Sequence, residues 1–189
     1  MVVDLFSKKF AAHQVGAAIG CDPKQISDWC NAGRVIGQRE PLGRGNSRQF
    51  SWFNIMEMAL AERLMSIGMK SVSDAFFVAQ KFSHIGDGPL PAGFVDDGLS
   101  SADKTPYRSP GLPFNCTDGT TYLVVWAGGD KIILSEKGTV NLTKFPPLYN
   151  RETGFIILNV TEIFAGVTHR LELGDYRDIL ANAYSSETV

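Results

Sequence analysis

Apolar residues in the first part of the chain recur at the three- and four-residue spacing of helices, in short runs separated by glycine, serine or aspartate. The first run ends at Gly20, a residue suited to the left-handed conformation that terminates many helices. Its apolar face consists of Phe10, Val15, Ala18 and Ile19. A second helix is predicted from Asp22-Pro23 to about Ala32, because aspartate accepts free amide hydrogens and proline fits the first turn. Its buried stripe is Ile26, Trp29 and Cys30.

Two longer helices follow. Ser51 is placed to cap a helix that reaches Ile67. Its apolar stripe consists of Phe53, Met56, Leu60, Leu64 and Ile67, and Ile55 and Ala59 widen it. Ser71 and Asp74 have the spacing of a capping box and predict a fourth helix. Its apolar face consists of Val72, Ala75, Phe76, Ala79 and Phe82.

Between the second and third helices the helical period stops. A short strand from Val35 to Arg39 and a returning strand from Ser47 to Phe50 are predicted, joined by a turn that contains Gly43 and Gly45. A hairpin after two short helices predicts a helix-turn-helix with a wing.

The second half has strand-like runs. A hairpin is predicted between Thr121–Trp126 and Lys131–Leu134, because two β-branched and aromatic runs flank a Gly-Gly pair. The run from Gly154 to Leu158 is apolar throughout, which predicts a strand buried on both faces. Asn159 or Thr161 is placed to cap a further helix, and residues 175 to 184 predict a last short one.

The fold class predicted from these elements is α+β. We expect an N-terminal winged helix-turn-helix over residues 1–82, mostly α with a two-stranded wing. Residues 83–118 are rich in Gly, Pro, Ser and Asp and predict a linker or irregular loops. A small α+β domain is expected over residues 119–189.

Charge is divided between the halves. Residues 1–82 carry ten Lys and Arg against seven Asp and Glu, whereas residues 83–189 carry eight against thirteen. The net charge of the whole chain is only -2, which argues against a histone-like protein that coats nucleic acid. Phosphate contacts are therefore expected from the first half alone.

Cofactor, metal and membrane functions find no support in the composition. The three cysteines, Cys21, Cys30 and Cys116, are widely separated, which fits a reducing compartment and does not match metal-ligand spacing. No apolar run is long enough to span a membrane, and Met1 to Phe10 lacks the apolar run of a signal peptide. We expect a cytoplasmic protein without a cofactor.

Candidate DNA contacts lie at the start of the second helix and in the wing. A recognition helix meets base edges with its N-terminal residues, and arginines beside glycines suit a sugar-phosphate backbone. A solvated polar face is the alternative interpretation of each residue taken alone. The candidates are Lys24, Gln25, Ser27, Arg39, Arg44, Asn46 and Arg48.

Residues 10 to 82 resemble the winged-helix DNA-binding domain of the MerR family of bacterial regulators. The matching features are the helix before Gly20, the helix with Ile26 and Trp29, Gly33, Arg48-x-Phe50-Ser51, and Leu64-x-x-x-Gly68-Met69 before Ser71. The resemblance implies that the second helix reads the major groove and that the wing contacts the flanking backbone. Ser27 stands where the family usually has an arginine, and Asp28 follows it.

The family's long dimerising helix is absent after Phe82, so we expect the C-terminal domain to dimerise the chain, bind an effector or contact another protein. Tyr122–Trp126 is one candidate for an edge strand that pairs with a second subunit. The leading hypothesis is a non-enzymatic, sequence-specific transcriptional regulator of bacterial or phage origin that binds double-stranded DNA as a homodimer. Alternatives are an excisionase- or packaging-type architectural protein, or an interaction module with a degenerate winged helix. No catalytic residues are identified, and His169 and Asp175 are predicted to lie on helix surfaces.

Overall fold

The computed structural model describes residues 4–38, 47–87, 107–116, 119–127, 129–135, 138–140 and 154–186. Its helices are α1 (Ala12–Ile19), α2 (Pro23–Asn31), α3 (Trp52–Ser66), α4 (Val72–His84), α5 (Val160–Arg170) and α6 (Tyr176–Ser186). Its strands are β1 (Phe10–Ala11), β2 (Gln49–Phe50), β3 (Thr120–Trp126), β4 (Gly129–Ser135) and β5 (Ile156–Asn159). Helices and two small antiparallel sheets make the fold α+β, as predicted. Among the described residues, no helix combines the length and hydropathy needed to cross a bilayer.

Side-chain caps fix the starts of four helices. Asp22 accepts a hydrogen bond from the backbone N–H of Lys24 at 2.7 Å, and Ser51 accepts one from Asn54 at 3.3 Å. Ser71 and Asn159 do the same for α4 and α5. Of the two candidate caps for α5, Asn159 is therefore the one used. Gly20 ends α1 in the left-handed conformation, with φ at 79°.

The first sheet corrects the predicted wing. Strand β2 pairs antiparallel with β1, with Phe10 opposite Phe50, and both of these rings are buried. Val35 begins a turn instead of a strand, since its carbonyl accepts a hydrogen bond from the Gln38 N–H at 3.2 Å. The predicted pairing of residues 35–38 with the returning strand is therefore wrong. The remainder of the predicted hairpin, residues 39–46, lies outside the described residues.

Helix α3 is buried on nearly every side. Met56, Leu60 and Leu64 are buried as predicted, as are Ile55 and Ala59, but the predicted stripe is still too narrow. It leaves out the buried Trp52, Met58 and Ala61. Ile67, assigned to the stripe, lies just beyond the helix and is 51% exposed. The helix packs against α4 and also meets α1 and α5, which explains its burial.

The second sheet has the order β4-β3-β5, with β3 antiparallel to both neighbours. The expectation that Tyr122–Trp126 forms an edge strand is wrong, because both of its edges are hydrogen-bonded. Burial on both faces, expected for residues 154–158, occurs in β3. Leu123 and Val125 join the main core, and Val124 joins a second small cluster. In β5 burial alternates, with Ile157 38% exposed and Leu158 buried.

One hydrophobic core includes residues from both halves of the chain. The ring of Trp52 in α3 lies edge-on to that of Phe164 in α5, with centroids 5.3 Å apart. The Trp52 indole donates to the Gly111 carbonyl at 2.9 Å, within an irregular segment at residues 107–116. Leu112 of this segment belongs to the same core. Residues 107–116 of the predicted linker are thus irregular and packed against the helices, and residues 83 and 84 belong to α4.

Candidate nucleic-acid interface

Helix α2 presents a polar N-terminal surface above an apolar anchor. Ile26, Trp29 and Cys30 are buried as predicted, and the Trp29 ring packs edge-on against Phe76 of α4. Lys24 and Gln25 are exposed, and Ser27 is half-buried. The orientation of the helix is therefore fixed by its buried face, and Lys24 and Gln25 in its first turn are left exposed.

Arg48 is the described candidate from the predicted wing. It is half-buried, and its Nη2 donates a hydrogen bond to Oδ1 of Asn31 at 2.9 Å. Asn31 is the last residue of α2, where a cation is favoured by the helix dipole. The Arg48 Nε is buried and has no described hydrogen-bond partner. The structure therefore brings Arg48 to α2, at the end opposite to Lys24 and Gln25.

The other predicted wing residues, Arg39, Arg44 and Asn46, lie outside the described residues.

The exposed face of α2 is not uniformly positive. Asp28 is exposed, and it follows Lys24 by four residues, a spacing that places two side chains next to each other on a helix. The carboxylate reduces the positive potential around Lys24 and repels a phosphate.

A buried polar cluster behind this surface was missed by sequence reasoning. Glu57 of α3 is fully buried, and its carboxylate accepts hydrogen bonds from Gln80 Nε2 at 3.0 Å and from the Ile36 N–H at 3.2 Å. The His84 Nε2 lies 2.9 Å from the same carboxylate. One signal for it is present in the sequence, since Glu57 is the only charged residue in the apolar run from Ile55 to Ala61.

A groove of about 660 Å³ lies between the start of α4 and the turn that joins β3 to β4, so residues of both halves line it. Phe77, which is 60% exposed, lies in the groove together with Trp126. Lys81 and Asp130 form an ion pair at its side, and the Lys81 ammonium lies over the Phe77 ring. Aromatic rings and a paired charge are typical of a pocket for a small molecule.

Metal and nucleophile chemistry has little basis in the described residues, which contain no group of three or more His, Cys, Asp and Glu side chains placed to hold a metal. Burial, together with the nearby Glu62 carboxylate, raises the pKa of the Cys21 thiol to about 11. Burial also raises the pKa of Cys30. Both thiols are therefore protonated at neutral pH and poor nucleophiles. His169 and Asp175 are exposed.

Comparison of the chain with protein-family models finds no match, and a search of curated proteins finds no significant match.

Proposed function

We propose that this chain is a sequence-specific DNA-binding protein of the winged helix-turn-helix class. Helix α2 would enter the major groove with its N-terminus first, and Gln25 would pair with an adenine edge. Lys24 would approach guanine or a phosphate. Arg48, with the other wing residues Arg39, Arg44 and Asn46, would contact the flanking backbone.

The observation that carries this proposal is the division of α2 into a buried and a presented face. Ile26, Trp29 and Cys30 anchor the helix, and Lys24 and Gln25 at its capped start are exposed. An exposed polar first turn above an apolar anchor is the arrangement by which a recognition helix presents its N-terminal side chains to base edges. The resemblance of residues 10–82 to the MerR domain supports the same assignment.

The biological role proposed is transcriptional regulation in a bacterium or a phage, with the protein acting as a homodimer. A single small module reads one half-site, and a second copy supplies the affinity and spacing of a full operator. The groove between α4 and the β3–β4 turn is the proposed place for an effector, if regulation requires one.

An alternative function is favoured by one feature of α2. Asp28 beside Lys24 lowers the positive charge of the proposed recognition surface. This suits a module that has lost DNA affinity and binds an effector or a protein. The other alternative is an architectural protein of the excisionase or packaging type, which would bend or mark a DNA site without controlling a promoter.

Selection from a duplex library, followed by a salt series, tests the proposal. A specific regulator enriches a roughly palindromic motif, and its affinity falls steeply with salt. Gln25→Ala should relax the preference at one base by about 1 to 3 kcal/mol. An architectural protein would bind with a salt slope but a weak motif. The proposal fails if no duplex is bound at low salt.

A further inference from the structure

The buried side of α3 carries two polar side chains one helical turn apart, Asn54 and Glu57. Asn54 is 5% exposed and Glu57 is 0% exposed. Removing a carboxylate from water costs several kcal/mol unless hydrogen bonds compensate it. The groups that bond to these two side chains therefore indicate what the pair holds in place.

Both side chains bond to the backbone of Ile36, in the turn that follows α2. The Asn54 Nδ2 donates to the Ile36 carbonyl at 2.9 Å, and the Ile36 N–H donates to Glu57 at 3.2 Å and 3.4 Å from its two oxygens. Gln80 of α4 adds a bond to the Arg34 carbonyl at 2.7 Å. The turn at the exit of α2 is thereby fixed to α3 and α4.

Asn54 also holds the segment that returns to α3. Its Oδ1 accepts hydrogen bonds from the Ser51 N–H at 3.2 Å and from Gln38 Nε2 at 3.4 Å. The same Gln38 nitrogen donates to the Gln49 carbonyl at 3.0 Å. Gln38 thus joins the departing segment to β2, and the neighbour of Gln49 in the chain is Arg48.

We infer that Asn54 and Glu57 are positioning residues of the proposed DNA interface. They fix the backbone that carries Arg48 to the end of α2, and they contact no DNA themselves because they are buried. The inference rests on the proposed function. Its physical basis is preorganisation: an arginine on a fixed backbone loses less conformational freedom when it binds a phosphate.

Double-mutant cycles with Arg48→Ala test the inference in the full chain. Glu57→Gln keeps the shape of the side chain but places an NH₂ group among hydrogen-bond donors. Gln38→Ala removes the link to Gln49 and leaves the buried carboxylate of Glu57 unchanged. The Kd for the duplex selected by the wild-type protein is measured at fixed salt. Glu57→Gln and Gln38→Ala should each raise the Kd of the wild-type protein about tenfold. In the Arg48→Ala background the same substitutions should raise the Kd by less than about twofold.

Thr168→Val is the matched control, because it also removes a buried side-chain hydrogen bond, in α5. The Thr168 hydroxyl donates to the Phe164 carbonyl at 3.0 Å. This variant should lose stability without a change in Kd. The motif enriched by Glu57→Gln should match that of the wild type, because α2 keeps its own anchor.

The inference is overturned if the losses are the same with and without Arg48, or if folded Glu57→Gln and Gln38→Ala bind as tightly as the wild type. If Glu57→Gln does not fold, Gln38→Ala decides alone. A wild-type protein that binds no duplex would overturn the proposed function first and the positioning role with it. The wild-type measurement therefore separates the two failures.

Discussion

At the level of single residues, Asp28 is the feature of α2 that opposes the proposed binding to DNA. Its exposed carboxylate lies one turn from Lys24. Asp28→Asn should raise affinity for all duplexes by about three- to tenfold at low salt, because it removes a repulsion, and the gain should shrink as salt screens the charge. Binding isotherms across a salt series measure this. Asp178→Asn, at an exposed position of α6, is the control and should change the affinity for DNA little. Equal affinities of Asp28→Asn and the wild type at low salt would contradict the prediction.

How much of the candidate site the sequence predicts depends on the range of the contacts involved. The exposure of Lys24 and Gln25 follows from the spacing of Ile26 and Trp29, which is a local property of the helix. The hydrogen bond between Arg48 and Asn31 cannot be predicted from local spacing, because it depends on where β2 pairs with β1. Long-range register of this kind leaves no periodic signal in the chain.

At the level of elements, the helices and the β3–β4 hairpin were predicted closely, whereas the pairings of β1 with β2 and of β3 with β5 were not. The start of a helix is determined by residues close together in the chain, as the caps at Asp22 and Ser51 illustrate. Pairing between strands that lie far apart in the chain is decided by tertiary structure. Ile36 cannot join a ladder because Asn54 and Glu57 take both of its backbone groups. The central position of β3 likewise depends on β5, which lies far along the chain.

The end of α4 depends on one buried side chain. Arg108 is 2% exposed, and its guanidinium donates to the Phe82 carbonyl at 2.7 Å, to the Ile85 carbonyl and to the Asp87 carboxylate. Burial lowers the pKa of Arg108, and the Asp87 carboxylate opposes that effect. Arg108→Met should therefore cost about 3 kcal/mol of unfolding free energy, because buried acceptors at the helix end lose their donor.

Urea unfolding with a matched surface variant measures this loss. Arg177→Met, on an exposed position of α6, should change the free energy by less than about 0.5 kcal/mol. Arg108→Lys should recover little, because a single ammonium cannot reach acceptors that a planar guanidinium contacts together. A loss in Arg108→Met no larger than that of the control would show that water replaces the guanidinium at the end of α4.

At the level of the whole molecule, the shared core makes the two halves depend on each other. Phe164→Ala removes the ring that packs on Trp52 and should cost about 3 to 5 kcal/mol. The loss affects both halves, because Trp52 is in α3 and Phe164 is in α5. We therefore expect the variant to unfold in one cooperative transition when unfolding is followed by tryptophan fluorescence and by far-UV circular dichroism. The same experiment tests the predicted division into residues 1–82 and 119–189. Two separate transitions, with the helices of the first half retained after the second half unfolds, would contradict a common core.

Dimerisation cannot use the edge first expected, because β3 is paired on both sides. Within the described sheet the outer strands are β4 and β5, and β5 exposes Ile157. If β5 forms the contact between copies, the full chain should have twice its 20.7 kDa mass by light scattering at micromolar concentration.

Ile157→Lys should then give a monomer, since a lysine on an outer strand opposes pairing between chains. Ile67→Lys changes another exposed isoleucine and should remain a dimer. A dimer that persists in Ile157→Lys would exclude β5 as the contact, whereas a wild-type monomer would remove the symmetry on which a palindromic site depends. The monomeric variant should also bind the full operator more weakly than the wild-type dimer does, because only the dimer gains from binding both half-sites at once.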